Sequence, residues 1–256
     1  MLPTLTKLSV IIPARNESGA IACTVRNLHS ELEQNAIVHE ILVVDDGSRD
    51  NTWKILNSVK QEIPELRPLQ NEAPHGYGRA VAYGIERIEG DAAVILMADE
   101  SDDAKDVVRY WKALNRGYHC VFGSRFVKGA EIVDYPWPKL FLNRLGNKLI
   151  QLLFGIGLND TSNAFKAFRK TALDGCRPFV SQHFNLTVEL PLKAITRGFR
   201  WTMIPIHWKN RTRGIAKFKI KEMGSRYLFI ILYVWLEHAL CAQDYHAAGR
   251  KGFQKK

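Results

Sequence analysis

Short apolar runs alternate with amphipathic stretches through the first half of the chain, so that strand-like segments give way repeatedly to helix-like ones. That alternation is the pattern of βα units and predicts an α/β protein with a mainly parallel central sheet flanked by helices. LSVIIP (8–13) reads as the first strand, and the segment from Ser18 to Gln34 as a helix capped by Ser18. EILVVDD (40–46) reads as the second strand, followed by a turn at Gly47 and a helix that opens near Asp50. A weaker strand near Arg67 to Gln70 and a helix from Tyr77 to Ile88 lead into AAVILMAD (92–99). This last run is continuous rather than alternating, as expected for a central strand covered on both faces. HCVFGSRF (119–126) supplies a further strand.

Beyond Phe126 the regularity fades. The Gly and Pro positions of KGAEIVDYPWP predict a long loop before a helix from Lys139 to Phe154, and long loops in compact domains often build active sites. KAFRK followed by TALDGC reads as a short strand running into a helix, and RGFRWTMIPIHW (197–208) as an edge strand or hairpin. YLFIILYVWLEHALCA (227–242) predicts a C-terminal helix that is apolar on every face until Glu237. It is shorter than the ~18–20 residues that span a bilayer, so burial against the domain, or against a second copy in a homo-oligomer, competes with a membrane-surface helix anchored by Tyr233 and Trp235. The expected organisation is a catalytic domain over residues 1–218 and a basic and apolar helical appendage over 219–256.

Composition narrows the class. The chain has 256 residues, 46% hydrophobic and 24% charged, which argues for a folded globular protein and against disorder. Its four cysteines are scattered, with no CxxC pair and no histidine at zinc spacing, so a reducing, cytoplasmic setting without a disulfide framework is expected. No export signal is expected from MLPTLTKLSVIIP. The formal charge of +10 predicts an anionic partner, and the cations concentrate late, from Lys193 through Arg226. No zinc-finger spacing, RNP-like segment or recognition helix accompanies them, so nucleic acid is not the expected partner.

In parallel α/β sheets ligands bind beyond the carboxyl ends of the strands. Three such ends carry distinctive chemistry: PARNES (13–18), DDGSRDNT (45–52) and MADESDD (97–103). There is no GxxxxGK[ST] loop and no Gly-rich turn after the first strand. Acidic strand ends suit a nucleotide sugar, because base and ribose need carboxylate acceptors and the diphosphate needs a divalent cation held by few protein oxygens. Asp46 fits the first task and Asp99 the second. Taken alone, DDGS reads equally as an Asx turn, and Asp99 as a carboxylate at the start of a helix opening near Asp103.

Seven motifs in order carry more than any one of them. VIIPARNES, VVDDGSRDNT, HGYGRAVAYG, MADESDD, GSRF, DTSNAFKAFRK and NRTRGIAK together resemble the family 2 glycosyltransferases of the GT-A fold, a Rossmann-like architecture, and most closely the dolichyl or polyprenyl phosphate mannose synthase branch. The resemblance implies that Pro13, Arg15, Glu17, Val44 and Asp46 line the nucleoside pocket, with Gly76 and Arg79 of HGYGRAVAYG also on the substrate. It implies Ala98 and Asp99 at the diphosphate and at Mg2+ or Mn2+, and Arg125, Arg211 and Lys217 at phosphate groups. Asp160 and Lys166 of DTSNAFKAFRK are implied in the site as well. One departure stands out: Met97 occupies the first position of the usual Asp-x-Asp, with Glu100, Ser101 and Asp102 as nearby oxygens and Ser101 the candidate second metal ligand.

The resemblance further implies an inverting transfer from a GDP-mannose- or UDP-glucose-type donor. A polyprenyl phosphate acceptor is already anionic near neutral pH, so it needs positioning cations rather than a strong base. The protein is then expected at the cytoplasmic face of a membrane, by peripheral contact or through a membrane partner. Two alternatives remain: a glycan or other hydroxyl acceptor, with Asp160 or Glu189 as base, and a nucleotide-sugar-binding subunit with reduced catalysis, to which Met97 points.

Overall fold

The computed structural model describes residues 2–210 and 220–245. Its centre is a seven-stranded sheet built from β1 (Leu8–Ala14), β2 (His39–Asp45), β3 (Leu66–Gln70), β4 (Ala92–Ile95), β5 (Cys120–Ser124), β7 (Lys166–Arg169) and β8 (Trp201–Pro205), in the order β3-β2-β1-β4-β7-β5-β8. β7 alone runs antiparallel, wedged between β4 and β5. β1 and β2 are buried at every position, as their unbroken apolar runs require. Helices α1 (Ile21–Gln34), α2 (Thr52–Glu62) and α4 (Ala104–Asn115) bury Leu28, Leu56 and Val107 in the core on one face of the sheet. On the other face Val81 of α3 (Tyr77–Ile85), Leu173 of α6 (Lys170–Gly175) and Leu190 of α7 (Leu186–Thr196) pack with Ile11, Leu42 and Ile95 of the strands.

Several boundaries depart from the pattern. α1 starts at Ile21 with Ala20 at its cap position and no side-chain cap; Ser18 instead donates its N–H to Asp50 Oδ2 at 3.1 Å, bridging the loops after β1 and β2. α2 opens at Thr52, where Asp50 Oδ1 accepts from the Thr52 N–H at 3.0 Å. The ladder of β4 ends at Ile95, and although Leu96 still donates to Ile11, Met97 turns away to donate to Asp102 Oδ2. Of RGFRWTMIPIHW, β8 forms the sheet edge, whereas β9 (His207–Lys209) pairs in parallel with β6 (Glu131–Val133), a strand inside the expected loop.

α5 (Trp137–Phe154) and α8 (Ile220–Leu240) pack around Ile150, Ile230 and Val234, with Val188 and Leu192 of α7 beneath them. α8 is not the wholly apolar helix expected from residue 227. It begins at Ile220 and includes Arg226, and Glu237 is buried against Arg197 at 2.7 Å. Among the described residues, no helix is long and apolar enough to cross a membrane.

Candidate active site

The carboxyl ends of β1, β2 and β4 lie side by side, because β1 pairs with both neighbours in parallel register. Asp46 follows β2, its N–H donating to the Ala14 carbonyl at 2.8 Å. Its carboxylate is almost fully buried and takes one hydrogen bond from Asn71 Nδ2 and one from the Gly76 N–H, both at 2.8 Å, while a His75 ring nitrogen lies 3.3 Å away. Gly47, at φ +73°, makes room for that ring: a Cβ there would stand 2.5 Å from it. The Asp46 carboxylate is therefore held in place rather than left to swing. Pro13 and Val44 are buried at the strand ends, Arg15 is exposed at the rim, and the Glu17 N–H donates to Thr52 Oγ1 at 2.9 Å.

HGYG is a close-packing motif. A Cβ on Gly76 would meet the Gln182 carbonyl at 2.4 Å, and one on Gly78 the Ser181 carbonyl at 2.4 Å. The start of α3 thus abuts the segment before α7, and Arg79 donates to the Gln182 side chain at 2.6 Å.

Beyond β4, Ala98 is buried, its carbonyl accepting from Thr24 Oγ1 at 3.0 Å, and Asp99 is largely buried. Asp99 Oδ1 accepts the Ser101 N–H at 3.2 Å, and the intervening Glu100 takes a positive φ of 59°. Ser101 therefore orients the Asp99 carboxylate through its backbone. Its own carbonyl accepts from Lys209. One carboxylate at a strand end is a donor set that fits Mg2+ or Mn2+, ions that bind through one or two carboxylates plus substrate phosphates and retain several waters. The Asp102 carboxyl turns inward instead. Burial pushes it up to about 7, the Asp99 charge adds to this, and the Met97 N–H opposes it.

Arg125 and Asp160 form a second, interlocked unit. The guanidinium donates to both Asp160 oxygens, at 2.8 and 2.7 Å, and the Arg125 N–H adds a third bond at 3.0 Å. Burial works against the Arg125 charge, yet Asp160 holds its pKa above the ordinary value. Tyr135 and Trp208 flank the guanidinium, each ring centroid within 5.6 Å. Lys166, buried behind this pair, donates to the Thr161 carbonyl at 3.0 Å, and burial lowers its pKa to about 7. With both oxygens engaged, Asp160 braces Arg125 and is not poised as a base, and Lys166 faces inward rather than toward a ligand phosphate. Glu189 is likewise engaged, by the N–H groups of Val180 and Ser181 and by Lys193. Arg211 and Lys217 lie outside the described residues.

Sequence reasoning missed Asn71 and His75 at Asp46, the inward carboxyl of Asp102, the aromatic walls Tyr135 and Trp208, and Tyr77 and Tyr227. The Tyr77 hydroxyl is buried without a hydrogen-bond partner. Tyr227, on α8, is half-buried against the core of Ile150, Ile230 and Val234, and desolvation raises it to about 12. The only signal was aromatic clustering in DYPWP and PIHW.

Comparison with known proteins bears on the fold and the family. The chain is 29% identical over 233 residues to a polyprenol monophosphomannose synthase of Mycolicibacterium smegmatis, covering 85% of this chain and 86% of that one. It is 26% identical over 221 residues to a dolichol-phosphate mannosyltransferase of Pyrococcus furiosus, covering 85% of this chain but only 60% of the relative. Among solved structures, glucosyl-3-phosphoglycerate synthase of Mycobacterium tuberculosis, in complex with Mn2+, UDP and phosphoglyceric acid, superposes with a TM-score of 0.69 at 17% identity, over 92% of this chain and 79% of that one. The fold is accordingly GT-A-like. The model of glycosyl transferase family 2 matches residues 9–176, and the chain belongs to that family.

Proposed function

We propose that the protein transfers a hexose, with inversion, from a nucleoside diphosphate sugar of the GDP-mannose or UDP-glucose type to a polyprenyl phosphate at the cytoplasmic face of a membrane. One juxtaposition carries the reading: helices with exposed apolar faces are joined to the loop that holds the Arg125–Asp160 pair. On α5, Trp137, Phe141, Leu145 and Leu149 recur at helical spacing and are all exposed; on α8, Phe229, Leu232 and Leu236 do the same. Contiguous exposed apolar patches mark interaction sites, and helices with such faces lie in membrane interfaces. The surface is tied to the polar cluster through Asn143 of α5, which donates to Ser162, two residues from Asp160, at 2.8 Å.

In this reading Asp46 accepts hydrogen bonds from the nucleoside, with Pro13 and Val44 as wall and Arg15 and Glu17 at the rim, while Gly76 and Arg79 frame the entrance. Asp99 holds Mg2+ or Mn2+, which neutralises charge on the departing diphosphate. Arg125, braced by Asp160, and the cations Arg211 and Lys217 orient phosphate. Residues 1–218 form the catalytic unit, and 219–256 seat it on lipid. The relatives named for polyprenol and dolichol phosphate products support this acceptor class.

The test is a panel of nucleotide sugars and acceptors with and without Mg2+ or Mn2+, followed by release of nucleoside diphosphate. Turnover that requires polyprenyl phosphate and a divalent ion is expected; transfer to sugar hydroxyls with none to polyprenyl phosphate would sink the proposal.

A further inference from the structure

At the opposite edge of the sheet, where β2 begins, four side chains from three segments converge. His29 and Glu33 lie one turn apart on α1, His39 opens β2, and Glu65 precedes β3. His39 is buried, and its Nδ1 is 2.8 Å from the Ile37 carbonyl. A carbonyl only accepts, so Nδ1 carries the proton and Nε2 presents a lone pair. That lone pair faces His29 Nδ1 at 3.1 Å. The same His29 nitrogen has Glu65 Oε2 at 3.8 Å, an oxygen that is buried and makes no hydrogen bond. One donor atom from each of His29, Glu33 and His39 falls within 4.8 Å of the others.

A proton on His29 Nδ1 can serve one of these acceptors and leaves the others short of a partner. A cation can be shared by His29, Glu33 and His39, whose donor atoms lie within 4.8 Å of one another. Two ligands of a tetrahedral ion with bonds of ~2.0–2.1 Å stand roughly 3.3–3.4 Å apart, close to the observed nitrogen separation. Backbone anchoring of His39 Nδ1 is the support that fixes a metal-binding imidazole in the correct tautomer. Mixed imidazole and carboxylate donors favour Zn2+ over Mg2+.

We propose that His29, Glu33 and His39, with water as the fourth ligand and the Glu65 carboxylate beside His29, form a zinc-class cation site, separate from the donor-site metal. It clips the end of α1 to the first residue of β2, across a turn in which Ala36 takes φ 51°. Its role is to hold these segments together, not to take part in turnover.

The test uses full-length protein carrying Asp99→Asn, so that the donor-site metal does not contribute. Titration of the metal-free protein with ZnCl2 is expected to show one equivalent bound per chain. Zinc at about 100 times its dissociation constant is expected to raise the Tm by roughly 5–10 °C. Cobalt at the same site is expected to give the visible bands of a four-coordinate ion. His29→Gln and, separately, the exposed Glu33→Gln should abolish or sharply weaken all three responses while melting, metal-free, close to the parent. Failure of the Asp99→Asn protein to bind zinc, or an unchanged stoichiometry and Tm shift in both further variants, overturns the proposal.

Discussion

At the scale of single residues, the site depends on charges that have left water. The Arg125–Asp160 pair is buried and bidentate, so removing one member strands the other. Asp160→Asn is expected to destabilise the fold by about 3–5 kcal/mol in urea unfolding. Asp102 behaves in the opposite sense. Its folded-state pKa of about 7 lies above the ordinary 3.8, so the folded chain holds a proton that the unfolded chain releases. Its contribution is favourable at low pH and is lost as pH rises from about 4 to about 7. Asp102→Asn, which keeps an oxygen for the Met97 N–H, should therefore be more stable than wild type at pH 8, by on the order of 1 kcal/mol or more, with the difference shrinking toward pH 4. Urea melts across that range check both sign and slope. For the reaction itself, Asp99→Asn is expected to lower kcat/KM by about 100-fold, while Asp46→Asn acts mainly by raising the donor KM.

At the scale of elements, the sequence was most readable where the pattern was local. The unbroken apolar runs of β1 and β2 and the period of α1 lie in consecutive residues, and the acidic residues that follow β2 and β4 singled out Asp46 and Asp99 as candidates. α7 was not readable: LTVELPLKAIT is buried on nearly every side, so it lacks a polar stripe, and Pro191 inside it reads as a break. The β6–β9 ladder joins residues more than 70 positions apart, and Arg125 meets Asp160 across 35, separations that no local period records. The burial of Glu237 was also hidden, because its partner Arg197 belongs to the turn after α7. α8 therefore has two faces with separate tasks. Replacing exposed Leu232 and Leu236 by Glu should abolish co-sedimentation with anionic lipid vesicles while changing stability little. Arg197→Met, which strands Glu237 inside, should lower the Tm markedly.

At the scale of the whole molecule, the proposed function would put donor and acceptor recognition on different parts of the sheet. The ends of β1, β2 and β4 carry the residues proposed for nucleoside and metal, and Met97 stands beside Asp99 where the resemblance implies a second carboxylate. Met97→Asp is expected to lower the Mn2+ concentration needed for half-maximal activity, read from a metal titration of initial rates. β7, by running against its neighbours, sends the chain between β5 and β7 out from the ligand-binding edge and back to that same edge. Residues 126–159 are thus an excursion whose two ends are fastened by the Arg125–Asp160 fork, while β1 and β2, at whose ends the donor is proposed to bind, take no part in it. Such a segment is an exchangeable cassette: grafting the corresponding stretch from a relative with another acceptor should switch acceptor choice and leave the donor KM unchanged, so that new acceptors can be acquired without rebuilding the nucleotide pocket.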